Sequence, residues 1–539
     1  MRSHPLVAAV LSALVPGAGQ LYARKPVRAT AFFLPAIPLA YGVYHYTSAG
    51  AVEMASLIVQ PSSLSGFLAI NVLVLAWRLI AAVDAYMVAD AAGDRSWMAI
   101  PLGLTLLAIA VPHLLGWSYG VKTISALETV FVAAPEGELR LLDSPPEVAF
   151  GALPDPVIFK DRHVPDPLSM ANYIFRPGIG DPEAIAALGD IYSPSTPIAP
   201  FTPLTERVDL DRFTILLVGA DAGPGREGFR TDTMIVATVD TNTGSVAMFG
   251  LPRNLKLMPL PAHLRTAFVE LEENVIEKDL TDLDEDGYPD IWVDTDGDGI
   301  PEEPEFETCE CFPTMLNKVH QYTQTWTGTY PNTPDPGLAA LTDIVSHLLG
   351  LPIDNYVMVK MDGFVKTIDA LGGVDVLVKE PYHVTVSSPE EGVPKASVNI
   401  EPGMNHLDGL ESLAYVRWRI GSSDYHRMRR QRCMIRAVAS QTNQFKLATS
   451  FPSLLEVFQE SVSTDIPLSF LPDLVKLAAK VDVDDVATVG FVPPTYSAGR
   501  TPGKYPIPNV ERIRWKVQDV LENGVTAQSR TGESECGNA

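Results

Sequence analysis

Four apolar stretches dominate the first 120 residues, at roughly 5–23, 29–47, 63–83 and 97–118. Each approaches the ~20 residues with which a helix crosses a bilayer. The first is interrupted by Pro16-Gly17-Ala18-Gly19, so it reads as a span or as a re-entrant or interfacial segment. The apolar pattern continues well past any plausible cleavage site, unlike a cleavable signal peptide. Arg24, Lys25 and Arg28 share one short loop and Arg95 lies in the loop before the last stretch, whereas 48–62 holds neither Lys nor Arg. The positive-inside bias therefore places 24–28 and 84–96 in the cytoplasm and everything after about 120 outside the plasma membrane.

Residues 121–207 lose this periodicity and become rich in Pro, Gly and acids, the signature of a stalk or linker. A patterned region follows from about 208. "FTILLVGAD" is an apolar run closing on Asp221, "TMIVATVD" is a second strand, Thr241-Asn242-Thr243-Gly244 is a turn and "SVAMFGLPRN" is a third strand. Downstream, "GLAALTDIVSHLLG" has helical period, "NYVMVKM" and "VDVLV" read as strands, and "DGFVKTIDALGG" reads as a helix capped by Asp362 and stopped at Gly372. "LDGLESLAYVRWR" and "DYHRMRRQRCMIRAVASQ" are helical, the latter capped by Asp424. Alternating strands and helices predict an α/β domain with α/β/α layers. The expected organisation is a multi-span membrane domain at 1–120, a stalk at 121–207, a catalytic domain at 208–523 with an insert at 275–312, and a disordered tail at 524–539.

The insert carries two acidic loops in register. Asp282, Asp284 and Asp286 stand at positions 1, 3 and 5 of the first, with Gly287 at 6 and Asp290 at 9. Asp294, Asp296 and Asp298 repeat the pattern, with Gly299, Glu302 and Glu305 at positions 6, 9 and 12. Calcium takes six to eight hard oxygen ligands, and this spacing wraps alternate carboxylates round one ion while glycine makes the turn. The second loop fits the full twelve-residue template; the first has Val293 where the bidentate ligand belongs. A structural Ca2+ role in ordering the insert is expected, with a solvated acidic loop as the competing reading.

Composition narrows the class. The 539 residues carry a net charge of −25, split as +2 over the first 120 and −27 over the rest. An acidic body lacks the basic footprint of nucleic-acid binding. The four cysteines, Cys309, Cys311, Cys433 and Cys536, have neither metal-site spacing nor a disulfide framework, and a bridge of Cys433 to Cys309 or Cys311 stays open.

Against that acidity, one group of residues stands out. Asp221 ends the first strand, Arg230-Thr231-Asp232 leads into the second, and Arg253 follows the third. Neighbouring strand ends can bring these to one rim of a sheet. Two carboxylates suit a divalent cation such as Mg2+ that keeps positions open for phosphate oxygens, and arginine forks bind phosphate bidentately. A structural ion-pair network is the alternative. A second basic group follows: Arg417 and Arg419, then Arg427, Arg430 and Gln431 on one helical face, with Arg429, Arg432 and Arg436 on another. The first face suits a pyrophosphate; a solvated surface explains Arg432 and Arg436 better.

Three blocks carry a resemblance. "ILLVGADAGPGREGFRTDTMIVATVDTNTGSVAMFGLPRN", "DNYVMVKMDGFVKTIDALGGVDV" and "GMNHLDGLESLAYVRWRIGSSDYHRMRRQRCMIRA" resemble, in order and over roughly 208–445, the signatures of the LytR-CpsA-Psr family, in its actinobacterial form. The resemblance implies an extracytoplasmic α/β/α domain that transfers glycopolymers from a polyprenyl-pyrophosphate carrier to peptidoglycan with magnesium. It implies that Asp221 and Asp232 hold the metal, that Arg230, Arg253, Arg417, Arg419, Arg427 and Arg430 grip the pyrophosphate, that Gln431 adds a contact, and that apolar residues between sheet and helices house the polyprenyl chain. Asp232 is the expected proton acceptor. The chain departs from the pattern at Gly223, where an arginine is common, and at Asn254, where the family's Pro-Arg-Asp becomes Pro-Arg-Asn. It also has three or four apolar segments where one span is usual. Hydrolysis of polyprenyl pyrophosphates, and a calcium-stabilised surface binding or regulatory protein without catalysis, are the alternative functions.

Overall fold

The computed structural model describes residues 3–89, 99–131, 212–221, 229–264, 267–268, 311–326, 329–330, 333–386, 396–418, 424–441, 453–454, 456–481, 486–500 and 505–523. Residues 132–207 of the expected stalk, the expected calcium loops with all nine of their ligands, Arg419, Gly223 and the expected tail lie outside the described residues. Two compact units separate: Met1–Asp143 with Pro467–Ala479, and Ser144–Ile466 with Lys480–Ala539.

The first unit is helical: α1 (Pro5–Leu14), α2 (Ala18–Tyr22), α3 (Pro26–Phe33), α4 (Ala36–Ser48), α5 (Ala51–Ile58), α6 (Pro61–Val88) and α7 (Ala99–Val130). Three segments, Pro26–Ser48, Pro61–Val88 and Ala99–Val130, are long and apolar enough to cross a membrane. The first apolar stretch is not one of them. It breaks at Val15-Pro16-Gly17, and the ten residues of α1 rise only about 15 Å. At Gly17 φ is 99°, and a Cβ would lie 2.5 Å from the Ala29 carbonyl oxygen, so only glycine makes that turn. Ala8, Ala9, Ala81, Ala82 and Ala85 are fully buried, letting α1 approach α6 closely. Helix α7 continues to Val130, past the boundary expected at 120.

The second unit is built on a six-stranded mixed sheet of order β11-β6-β1-β2-β3-β12. The central strands are β1 (Arg212–Asp221), β2 (Arg230–Asp240) and β3 (Val246–Gly250), with β6 (Asn355–Lys360), β11 (Val462–Thr464) and β12 (Val486–Gly490) outside them. β1 runs antiparallel to β2 and parallel to β6, while β3 is antiparallel to β2 and parallel to β12. Short pairs complete it: β4 (Met258–Pro259) with β5 (Cys311–Phe312), β7 (Val374–Val378) with β10 (Gly403–Leu407), β8 (Tyr382–Val386) with β9 (Ala396–Ile400), and β13 (Ser497–Arg500) with β14 (Pro506–Pro508). The helices are α8 (Val319–Thr323), α9 (Pro336–Leu349), α10 (Met361–Ala370), α11 (Gly409–Arg417), α12 (Asp424–Gln441), α13 (Leu471–Ala478, in the first unit) and α14 (Val510–Asn523).

Both faces of the sheet are covered, which is why its strands read as apolar runs without clean alternation. Leu216, Val218, Met234, Val236 and Phe249 pack with α9 and α14 in the larger core. Ile215, Leu217, Ile235 and Met248 face the other way, towards Ile435 of α12. This is the expected α/β/α layering. Two caps differ from expectation. α10 opens at Met361, so Asp362 lies in its first turn and accepts a hydrogen bond from Ser461 Oγ at 3.2 Å. Asp424 is the first residue of α12 itself. α11 opens with a reciprocal capping box between Asp408 and Glu411, which fixes the helix that delivers Arg417.

Candidate active site

A β-bulge sets the site. The β1–β2 register pairs Gly219 with Thr233 but Ala220 with Thr231, leaving Asp232 as the extra residue on β2. Thr233 and Ile235 face the side of α12, whereas Met234 and Val236 face the larger core. Strict alternation would put Thr231 on the α12 side and Arg230 away from it. The extra residue reverses that phase. Thr231 turns inward and donates to Met234 Sδ at 3.7 Å, and Arg230 joins Thr233 on the α12 side. Gly219 makes the close approach possible, because a Cβ there would lie 2.9 Å from Thr233 Cβ.

Asp221 closes β1 directly opposite Arg230 and is 7% exposed. Its Oδ2 lies 3.4 Å from Arg417 Nη2, at the C-terminal end of α11. Asp232 Oδ1 receives two donors: Arg253 Nη1 at 2.8 Å and Asn317 Nδ2 at 2.9 Å. Arg427, on α12, donates from Nη2 to the Asp232 carbonyl at 3.3 Å. Asp221, Arg230, Asp232, Arg253, Arg417, Arg427 and Gln431 all line one cavity of ≈ 740 Å³. Its walls are apolar, with Leu217, Ile235 and Val357 from the sheet, Phe364 and Ile368 from α10, Leu413 and Val416 from α11, and Met434, Ile435 and Val438 from α12. The arrangement is a charged mouth over a greasy interior.

The structure diverts one predicted residue. Arg430 does not line the cavity. Only 3% exposed, it donates Nε to the Tyr415 carbonyl at 2.9 Å and Nη2 to the Trp418 carbonyl, with its guanidinium 5.5 Å from the Tyr382 ring centre. It satisfies carbonyls at the end of α11 and so holds the helix that presents Arg417. Burial pulls its pKa down, and the neighbouring Tyr382 and Tyr415 oppose that pull; burial pushes Tyr415 up to about 12. Arg432 also departs from the expected solvated face. It is 9% exposed, and its guanidinium lies against Gly250 and Gly490, where a Cβ on either would come within 3.0 Å.

Asn317 went unrecognised in the sequence because it lies beyond the insert, 85 positions from Asp232. Its backbone N–H donates to the Arg253 carbonyl at 3.0 Å, so it is tied to both side chains that it joins. The Oδ1 atoms of Asn317 and Asn254 are buried without hydrogen-bond partners among the described residues. These residues fit a divalent cation. Two carboxylates meet at one mouth, both donors on Asp232 engage Oδ1 rather than Oδ2, and an unpaired amide oxygen is attached to the same cluster. Cys311 and Cys433 are both disulfide-bonded.

The LytR_cpsA_psr family model matches residues 194–259 and 290–497, just over half of the chain. The chain belongs to this family. Among curated relatives it is 28% identical over 267 residues to the polyisoprenyl-teichoic acid–peptidoglycan teichoic acid transferase TagU of Halalkalibacterium halodurans, covering 49% of this chain and 64% of that one. It is 29% identical over 127 residues to the biofilm regulatory protein A of Streptococcus mutans, covering 23% and 30%. The chain thus spans less than two thirds of these relatives. Solved structures that it resembles include B. subtilis TagV (22% identity, 58% of this chain, 98% of that one, TM-score 0.38) and TagT bound to LI-WTA (18%, 64%, 95%, 0.33). Those scores are low, and the fold rests on the topology and the family match.

Proposed function

We propose that the chain is a membrane-anchored phosphotransferase. It moves a glycopolymer from a polyprenyl-pyrophosphate carrier to peptidoglycan outside the plasma membrane. The observation that carries this reading is a cavity of ≈ 740 Å³ whose acidic and arginine mouth tops an apolar interior. A ligand with an anionic head and an isoprenoid tail matches both halves. The names of TagU relatives support it, as do the three membrane-length helices and the disulfides.

Arg230, Arg253, Arg417 and Arg427 grip the pyrophosphate, and Gln431 adds a neutral donor. Asp221 and Asp232 would hold magnesium, which when bound would neutralise charge on the phosphate oxygens. A sugar hydroxyl of peptidoglycan attacks the phosphorus next to the glycopolymer. The new P–O bond forms as the bond to polyprenyl phosphate breaks, and the hydroxyl proton passes to Asp232. Arg253 and Asn317 orient Asp232 before the reaction, so little reorganisation is left for the transition state. The calcium loops, if loaded, order the insert and take no part in this step.

The test uses the full-length protein with a polyprenyl-pyrophosphate glycan, magnesium and peptidoglycan. Glycan covalently attached to peptidoglycan is the expected product. Free sugar phosphate alone indicates hydrolysis. No turnover, together with Asp232→Ala cells indistinguishable from wild type, overturns both enzymatic readings in favour of a binding protein.

A further inference from the structure

The first unit holds a polar cluster that the reaction above does not use. Arg78 on α6 and His113 on α7 lie about 5 Å and about 2 Å from the midpoints of their helices, counted at 1.5 Å per residue. Asn71 lies about 5 Å on the other side of the α6 midpoint. Asn71 Nδ2 donates to the His113 carbonyl at 2.9 Å, which fixes the amide. Asn71 Oδ1, 2.6 Å from His113 Nδ1, must then accept a hydrogen bond from that nitrogen. In a neutral imidazole, Nε2 is left as an acceptor facing Arg78 Nη1 at 3.4 Å. Arg78 Nη2 donates to the Ala13 carbonyl at 2.6 Å, at the broken end of α1.

Charge does not balance there. Nearby, Arg28 is closed by a carboxylate: it meets Asp84 at 2.5 Å, and Gln20 bonds the same carboxylate. Arg78 has no carboxylate partner among the described residues. A guanidinium has five N–H donors, and these contacts use two of them. In hydrocarbon each unmet donor is costly, and the carbonyl end of α1 offers only a fraction of a negative charge. Ionisable groups at such depth face one another or a ligand path. Pro112 interrupts the α7 hydrogen bonding one residue before His113, and α1 breaks just beyond Ala13, so irregular backbone borders the cluster on two sides.

We propose that Arg78, with His113 and Asn71 behind it, binds the phosphate headgroup of a lipid within the helical bundle. The remaining N–H groups of one arginine form the fork that a phosphate oxygen pair accepts. The inference rests on α6 and α7 spanning the membrane, and it concerns a second lipid site, separate from the catalytic cavity.

The test is native mass spectrometry of the full-length protein in phosphatidylcholine nanodiscs, doped with geranylgeranyl monophosphate, phosphatidylglycerol or geranylgeraniol. The cavity variant Arg417→Ala is expected to retain a monophosphate lipid, and adding Arg78→Gln to that variant to lower the retention at least tenfold. Phosphatidylglycerol retained in the same Arg78-dependent way keeps the site and makes bulk lipid its source. Equal retention with Arg78→Gln added, or equal uptake of the alcohol, overturns the proposal. Arg78→Lys guards against misfolding: it keeps the charge and loses the fork, and is expected to bind about 3–10-fold more weakly. If α6 and α7 do not span, cysteine labelling on both sides of the membrane shows it independently.

Discussion

The two ends of the central sheet treat aspartate in opposite ways. At the C-terminal end of β1, Asp221 and Asp232 each meet an arginine, and both stand at the mouth of a cavity. At the N-terminal end, about 23 Å away along the strand, Asp354 and Asp465 are half-buried and neither is in an ion pair among the described residues. Asp354 Oδ2 accepts the Thr214 N–H at 2.7 Å, and Asp465 Oδ1 accepts the Tyr356 N–H at 2.7 Å. Burial, aided for Asp354 by the charge of Asp465, pushes these carboxyls up to about 7 and about 6. One end collects cations that a phosphate can share. The other tolerates acids only by weakening their charge. A raised carboxyl pKa alone therefore does not mark a site; aspartate with arginine at an open mouth does.

The sharpest way to break this contrast is at Asp232. Asp232→Ala is expected to lower transfer at least ~10³-fold with the melting temperature nearly unchanged, since Asp232 lies at the mouth rather than in the core. Retention of a tenth of the activity would move the chemistry elsewhere. Arg430→Ala should show the reverse: roughly 2–4 kcal/mol of stability lost as two carbonyls lose a charged donor. Lipid binding by the folded fraction should stay within about threefold. A mutant as stable as wild type but unable to bind pyrophosphate lipid would restore Arg430 to the substrate. Asn317→Ala falls between them. It should reduce kcat about 10–30-fold with a small change in KM, because it orients Asp232 and does not touch the substrate. Weaker retention of manganese, used as a spectroscopic stand-in for magnesium, is expected in the same variant.

Much of the fold is legible in the sequence because the strands and helices are long and strongly patterned. The apolar run ending at Asp221 and the helix over Asp424–Gln441 form where their patterns place them. The part that was not legible depends on small offsets. A one-residue bulge at Asp232 reverses which side of β2 carries Arg230, and nothing in the local composition marks it. Arg427 and Arg430 are three apart and share a helical face, yet the 60° between them is enough to send one to Asp232 and the other to the end of α11. Asn317 reaches Asp232 only through the pairing of Leu316 and Asn317 with the backbone of Leu255 and Arg253, across the whole insert. Arg432 is hidden because two glycines on adjacent strands open room for it.

The smallest effect tests the other end of the sheet. For Asp354 and Asp465 the folded pKa lies above the unfolded one, so folding favours the protonated form. Their contribution to stability is fully present below the unfolded carboxylate range and is lost as pH rises through about 6 to 7. The catalytic unit should therefore lose stability between pH 5 and pH 8. Asp354→Asn keeps an acceptor for the Thr214 N–H and removes the titration. It is expected to melt roughly 3–6 °C higher than wild type at pH 8, with a smaller margin at pH 5 and none below the unfolded carboxylate range. The same substitution should leave transfer activity unchanged at both pH values, because Asp354 is not among the described residues that line the cavity. A melting difference independent of pH would show that Asp354 is ionised throughout. The two ends of the sheet would then differ only in where their cations stand, not in whether their acids carry charge.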